Sequence, residues 1–385
     1  MKKYLKLTTN DAIRHFILKD STLAPETSGE IWEKLNDLDK YKSEICVSIV
    51  IPTHRIHPDS QKDSILLKNC ITEAENTLYS LLEKRQVWPI VENIKEAQEA
   101  IDFRLNLDSL ALYANEHFSS VIKLPVDLEK QITIGNEFDL RPLYKTRQQN
   151  RKYYILTISK QKIRLIEALN DKAVNEIDTD DFPFDNSNYI TKDATKIMQD
   201  TFVENLEKEY FNDADKRFQK YYIDNPLPVV LAGDVKSVAY YEEQMDEICM
   251  VLARVQGNFD NAPLHEIIDA VQPEIEKYRK EKQDEYLSQI DRAQSAHLVS
   301  TDINDIYRSV STGGADTLYV ENNFSLNGKI VEDQVEITDQ DDQDIKSHDL
   351  LNVFMKNVTD NGGQVVFMED GLLEKYNGIV LVRRF

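Results

Sequence analysis

Tyr153-Tyr154-Ile155-Leu156-Thr157-Ile158 and Ile163-Arg164-Leu165-Ile166-Glu167-Ala168, joined by Ser159-Lys160-Gln161-Lys162, decide the fold of this chain. Two runs rich in β-branched and aromatic residues about a short polar connector predict a β-hairpin. Leu227-Pro228-Val229-Val230-Leu231-Ala232-Gly233 reads as a buried strand farther on. Between them Met198, Phe202, Leu206 and Tyr210 recur at steps of four, the spacing of one helix face. Asp193 is placed to cap that helix, and Asn212-Asp213 marks a break in it. The acidic stretch from Asp178 to Lys192 reads as a loop. Strands interleaved with helices predict an α/β class.

The same alternation extends outward. Ile45-Cys46-Val47-Ser48-Ile49-Val50-Ile51 is a buried-strand run ended by Pro52. Leu67, Ile71, Ala74, Leu78 and Leu81 then line one helix face, and a second helix is expected over roughly 91–103. Ser109–Tyr113, Ser120–Leu124 and Gln131–Ile134 are short strand candidates. Downstream, helices are expected at about 237–255, 264–294 and 302–310. Gly313-Gly314 is a turn and Asp316–Val320 a strand. Leu350, Leu351, Phe354, Met355 and Val358 share a helix face, followed by strands at Val365–Met368 and Ile379–Val382. No internal repeat is visible.

The chain has 385 residues, 41% hydrophobic and 30% charged, long enough for two or three cores. No apolar run is long enough to span a bilayer, and Asn10, Asp11 and Arg14 interrupt any signal-peptide core. The expected location is the cytoplasm, with no membrane partner. Cys46, Cys70 and Cys249 are few, scattered and set among apolar residues, which predicts core thiols rather than disulfides or zinc. The net charge of −22 argues against general nucleic-acid binding. One span opposes that balance. Between Leu143 and Arg164 lie seven basic residues and no acidic one: Lys145, Arg147, Arg151, Lys152, Lys160, Lys162 and Arg164. Tyrosines interleave with them. This is either an RNA-facing surface or a solvated hairpin with Tyr154, Leu156 and Ile158 turned to the core.

Two other stretches hold candidate chemistry. Thr53-His54-Arg55 directly follows a buried strand, and strand ends in open α/β sheets collect ligands. Arg55 suits bidentate phosphate binding. The competing reading is that these residues fix a strand-to-helix connection, with Arg55 paired to a nearby carboxylate. Asp339, Asp341, Asp342 and Asp344 lack the glycine of a calcium loop. Neither a metal nor a cofactor is expected.

Five stretches together resemble the bacterial relatives of the archaeo-eukaryotic peptide-chain release factors and Pelota. They are Ile51-Pro52-Thr53-His54-Arg55, with Gln61, Asp63 and Leu67-Lys68-Asn69 downstream; Gly135-Asn136-Glu137-Phe138-Asp139-Leu140-Arg141-Pro142-Leu143; the hairpin Tyr154 to Leu165; Leu227 to Gly233; and Gly314 to Val320 with Gly378 to Phe385. The resemblance implies three domains: a divergent N-terminal α/β domain (1–145), a ribonuclease-H-like middle domain (146–258), and a C-terminal α/β domain like that of kink-turn RNA-binding ribosomal proteins (259–385). It implies the ribosome or a tRNA as partner, and no DNA. A ribonuclease-H-like domain also raises the idea of a nuclease. Two-metal nucleases need converging carboxylates, and the expected middle strands hold only Glu167.

In release factors a Gly-Gly-Gln loop of the middle domain precedes a long helix and acts at the peptidyl-tRNA ester. That position falls at about 178–201 here. No glycine occurs between Gly135 and Gly233, and Gln199 is the only glutamine from Asn170 to Phe218. Gln199 is therefore the catalytic candidate, against its reading as an ordinary helical glutamine. The tripeptide itself stands at Gly362-Gly363-Gln364, just past an amphipathic helix, where glycine is the usual left-handed stop. Three functions follow: a translation-associated, release-factor-like protein without hydrolytic activity; an active peptidyl-tRNA hydrolase using a non-standard loop residue; or a small-molecule or protein-binding module built on Thr53–Arg55. The oligomeric state is left open.

Overall fold

The structure is a computed structural model that describes residues 35, 38, 43–55, 60–103, 106–149, 152–188, 200–245, 250–338 and 348–385. It is a mixed α/β protein with several sheets. The described residues form two compact units, one from 152–284 and the other from 35–149 with 285–385. Compactness thus groups the first and third expected domains together.

The first unit is built on the hairpin. β5 (Lys152–Ile158) pairs antiparallel with β6 (Lys162–Leu169), which pairs with β7 (Lys172–Glu176) and the short β8 (Phe184–Asp185). On its other side β5 runs parallel to β9 (Val229–Gly233), and β9 parallel to β10 (Val251–Gln256). Successive strand residues face opposite sides. Tyr154, Leu156 and Ile158 pack with Phe211, Phe218 and Tyr241 on α4 (Asp200–Asp224) and α5 (Val235–Gln244). Tyr153 and Ile155 pack on the opposite face with Ile267, Val271 and Ile275 of α6 (Leu264–Ser295). Burial on both faces explains why these strands read as unbroken apolar runs. It also corrects the solvated-hairpin expectation.

Three local expectations change. Asn212-Asp213 does not break α4: Asn212 faces solvent while Phe211, Ala214 and Phe218 stay buried. The helix expected over 237–255 ends at Gln244, because Ala253 and Val255 alternate with exposed Arg254 and Gln256 at strand period. The second N-terminal helix starts earlier than expected, at Lys84.

The second unit holds two larger sheets. β1 (Cys46–Pro52) lies between β2 (Ser109–Ala114) and β4 (Gln131–Gly135), with β3 (Ser119–Leu124) outside β2, and every pairing is antiparallel. Val47, Ile49 and Ile51 pack under α1 (Ser60–Leu81) and α2 (Lys84–Glu99). Cys46 and Val50, on the opposite face, join a core that includes Ile306, Leu351 and Phe354. Those residues come from α7 (Ile303–Ser311) and α8 (Leu350–Asp360).

The C-terminal sheet has the order β11 (Val299–Ser300), β17 (Ile379–Arg383), β12 (Ala315–Glu321), β16 (Gln364–Met368). A smaller sheet of β13 (Asn327–Val331), β14 (Gln334–Ile337) and β15 (His348–Asp349) stands beside it in sequence. The unexpected helix α3 (Arg141–Gln149) fastens the two halves of the unit. Arg141 binds Asp139 at 2.9 and 2.7 Å and lies 2.9 Å from Asp349, the residue that caps α8. The buried Asn352 amide oxygen accepts from Leu140 N at 3.2 Å.

Candidate functional site

The segment that precedes α4 is where release-type chemistry was expected. Its first half is firmly seated. Phe182 and Phe184 are buried, and Tyr210 of α4 stacks on Phe184 with ring centroids 5.2 Å apart. Asp181 accepts from Arg217 at 2.9 Å and Lys220 at 3.0 Å, both one helical turn apart on α4. The Arg217 guanidinium also lies 4.5 Å from the Phe184 ring centroid, a cation–π geometry. Asn186 donates its side-chain amide to the Lys160 carbonyl and its backbone N–H to that of Gln161, tying the segment to the β5–β6 turn. The segment is thus anchored to both a helix and a hairpin. Gln199 lies outside the described residues, as does Asp193.

Thr53-His54-Arg55 forms a tightly tied loop after β1. The Thr53 hydroxyl donates to the Leu107 carbonyl at 2.8 Å, and Arg55 makes a two-pronged pair with Asp108 at 2.9 and 2.5 Å. Both side chains are thereby engaged within the fold. The sheet around β1 is wholly antiparallel, so the rule that placed a ligand at this strand end does not apply to it. His54 differs. Asp63, only 1% exposed, accepts from His54 N at 2.8 Å, faces His54 Nδ1 at 2.7 Å and accepts from Asn106 at 2.8 Å. A carboxylate at Nδ1 assigns the proton to that nitrogen, which leaves Nε2 as the other functional atom of the ring. The imidazole is 54% exposed. Within this loop, His54 is the side chain able to meet a ligand without breaking an ion pair. Proximity in sequence hinted at Asp63; nothing in the sequence pointed to Asn106 or Asp108.

The basic run divides. Lys145 and Arg147 lie on α3, in the second unit, and Lys152 and Arg164 on β5 and β6, in the first. Arg151 lies outside the described residues. Lys145 donates to the Asn322 carbonyl at 2.6 Å, and burial with the nearby Arg141 charge pushes its ammonium below the ordinary lysine value. Burial acts the same way on half-buried Arg147. Arg164 is a correction to the RNA-facing expectation. It is 6% exposed, clamps Glu176 at 2.6 and 2.9 Å, and donates to the Phe259 and Ala262 carbonyls at 2.8 and 2.7 Å. Its guanidinium is an internal fastener. Lys160 likewise pairs with Glu207 at 2.6 Å. The run looked unpaired because its partners come from distant segments.

Gly362-Gly363-Gln364 is a helix stop. Gly362 has φ +72°, its N–H donates to Thr359 O, and the Gly363 N–H donates to Val358 O. These two bonds define a Schellman ending of α8. Gly313-Gly314 ends α7 the same way, with Gly313 at φ +76° and bonds to Val310 O and Ser309 O. Arg384 reaches both endings, donating to Asn361 O at 2.8 Å and Gly313 O at 3.4 Å. A cation there complements the negative ends of two helices. Exposed Gln364 simply opens β16.

Among the described residues, no group of three or more His, Cys, Asp or Glu side chains is placed to hold a metal ion. Nor is any described helix long and apolar enough to cross a membrane. Cys46 and Cys70 are buried thiols outside any disulfide; Cys249 and the aspartates from Asp339 to Asp344 lie outside the described residues.

Residues 152–313 match the family model described as bacterial archaeo-eukaryotic release factor family 3. The release-factor-like resemblance is therefore shown over that stretch, which holds the whole first unit. No curated protein matches the chain. Among solved structures, the archaeal translation termination factor aRF1 is 13% identical, with 92% of this chain and 97% of that one covered and a TM-score of 0.25. A model of ribosome-bound archaeal Pelota with ABCE1 gives 10% identity, coverage of 93% and 94%, and a TM-score of 0.41. Archaeoglobus fulgidus Pelota gives 14% identity, coverage of 72% and 79%, and a TM-score of 0.34.

Proposed function

We propose that this chain is a translation-associated, release-factor-like protein that engages the ribosome or a peptidyl-tRNA without Gly-Gly-Gln hydrolysis. One observation carries the reading. The stretch matching the release-factor family model contains the sheet and α4, yet has no glycine before Gly233. A backbone loop that must approach an ester closely needs the conformations only glycine reaches. The architecture is retained and the hydrolytic tripeptide is missing from its place. The chain acts, in this reading, by occupying a ribosomal or tRNA site rather than by cleaving the ester.

The test is co-sedimentation of the full chain with ribosomes, and pulldown of tRNA from a lysate, at low and raised salt. Association that weakens with salt is expected. Absence of both ribosomes and tRNA at low salt overturns the proposal.

A second reading draws on the seating of residues 178–188 against α4. That anchoring would hold an active loop steady, and Gln199, the single glutamine between Asn170 and Phe218, is the residue assigned to orient a water. Its chemistry would rest on positioning and on stabilising the tetrahedral oxyanion. Release of peptide from a model peptidyl-tRNA on ribosomes, lost in Gln199→Ala, would establish it. No release by the intact chain would exclude it.

A further inference from the structure

Most cations described above are spoken for by nearby carboxylates. The start of α2 is different. Lys84 and Arg85 are exposed, and neither makes an ion pair among the described residues. By contrast, Lys95 at the other end of the same helix pairs with Glu75 at 2.8 Å, and Lys130 with Glu73 at 2.6 Å. Helix stability does not account for the two cations. In a first turn they oppose the helix dipole; that turn itself holds no acidic residue, and the adjacent acid is Glu83 at the N-cap, whose side chain makes no capping hydrogen bond.

One turn farther along the helix stands an exposed indole. Trp88 is 57% exposed, whereas its neighbours Val87, Ile90, Val91 and Ile94 are the buried face of α2. Lys84 and Arg85 precede Trp88 by four and three residues, so all three share one face of the helix. Tyr79, 40% exposed, lies in the last turn of α1, just before this turn in sequence. The core gains little from an indole so placed, and the cations gain nothing from a partner within the fold.

We propose that Lys84, Arg85 and Trp88 form a contact site for an unpaired stretch of RNA. Trp88 stacks on one base, and the two cations meet the flanking phosphates. The charges select a polyanion, which an acidic chain of net charge −22 otherwise repels. The exposed ring selects among polyanions: a free aromatic face stacks on an unpaired base, and a duplex hides its base faces. An acidic protein would satisfy the cations and leave the indole in water. The choice of RNA rests on the function proposed above; the patch itself does not.

The chain has two tryptophans, Trp32 and Trp88, so full-length Trp32→Phe leaves Trp88 as the only indole. Its emission is followed during titration with a single-stranded oligouridylate of about twelve nucleotides at low salt, a length within the usual site range. Saturable quenching is expected, with none from an RNA duplex or from polyglutamate. In the otherwise wild-type chain, anisotropy of the labelled oligonucleotide should show roughly tenfold weaker binding for Trp88→Ala. The Lys84→Ala/Arg85→Ala pair should flatten the salt dependence. Unquenched emission, equal quenching by polyglutamate, or unchanged affinity of Trp88→Ala overturns the proposal. Ribosome association without Trp88 quenching sinks this patch and leaves the proposed function standing. Quenching without ribosome or tRNA association does the reverse.

Discussion

Gln148 pairs with Phe367 as a neighbouring strand would. Its side-chain amide accepts from the Phe367 N–H at 2.6 Å and donates to the Phe367 carbonyl at 2.9 Å. β16 is the edge of its sheet, and an open edge leaves unpaired backbone groups. One side chain from α3 thus closes the edge and joins the N-terminal half of the second unit to the C-terminal half. Gln148→Ala strands both backbone groups and should cost about 1–3 kcal/mol in urea unfolding. Amide exchange at Phe367 should accelerate in the same variant.

The glycines of the displaced tripeptide should matter to stability and its glutamine should not. A Cβ on Gly363 would lie 2.8 Å from Val358 Cγ1 and 2.9 Å from the Asp316 carbonyl. Gly363→Ala should therefore lower stability by about 1–3 kcal/mol, as overpacking does. Gly362→Ala should cost about 1 kcal/mol through its left-handed φ. Gln364→Ala, at an exposed strand start, should stay within about 0.5 kcal/mol. Ribosome binding should be unchanged in Gln364→Ala.

Arg164 and Glu176 predict an acid-sensitive first unit. The Arg164 hydrogen bond is the main cause that holds the Glu176 carboxyl below its ordinary value. A depressed carboxyl stabilises the fold above its unfolded value, roughly 4.3, and loses that contribution as pH falls through the lower folded value. Thermal melts should show the gap between wild type and Glu176→Gln large at pH 7 and shrinking in acid. At neutral pH the variant leaves Arg164 buried without its partner, a loss of about 3 kcal/mol or more. Arg164→Ala should likewise unfold more easily, and Lys152→Ala should not. A selective loss of RNA binding in a fully stable Arg164→Ala would contradict the internal role.

His54 is the outward-facing side chain of its loop, and Asp63 sets its orientation. Asp63→Asn removes a buried carboxylate that accepts from both His54 N and the Asn106 amide, and should lower stability by about 1–3 kcal/mol in urea unfolding. Thr53→Val should likewise reduce stability by about 1 kcal/mol, because its hydroxyl bonds the Leu107 carbonyl. A ligand whose affinity responds to His54→Ala, and not to Arg55→Lys, would support the single-residue reading.

Much of the fold was legible because burial left a plain mark. Leu227 to Gly233 reads as a strand because β9 is covered on both faces. α8 is visible from the spacing of Leu350, Leu351, Phe354, Met355 and Val358. The β13–β14 hairpin was not, since its turn uses Glu332 and Asp333 at φ +47° and +60° rather than the glycine or asparagine that usually signals such a turn. The candidate sites were less legible still. Charge in sequence marks where a cation is, but Glu176 reaches Arg164 from the paired strand, and Asp108 reaches Arg55 from 53 residues away. Lys84 and Arg85 carry no signal in the sequence because two adjacent basic residues are common; their exposure beside Trp88 is a property of the folded helix.

The Schellman ending of α8 has a practical consequence for enzyme discovery. A motif search that scores only letters would count this chain as a release hydrolase on the strength of three residues that end a helix and begin a strand. Gly363 is small because Val358 and Asp316 crowd it, and Gly362 is left-handed because a helix ends there. Sorting genuine release enzymes from look-alikes therefore needs the residue's address in the fold, and the carbonyls its N–H groups already hold, before its name.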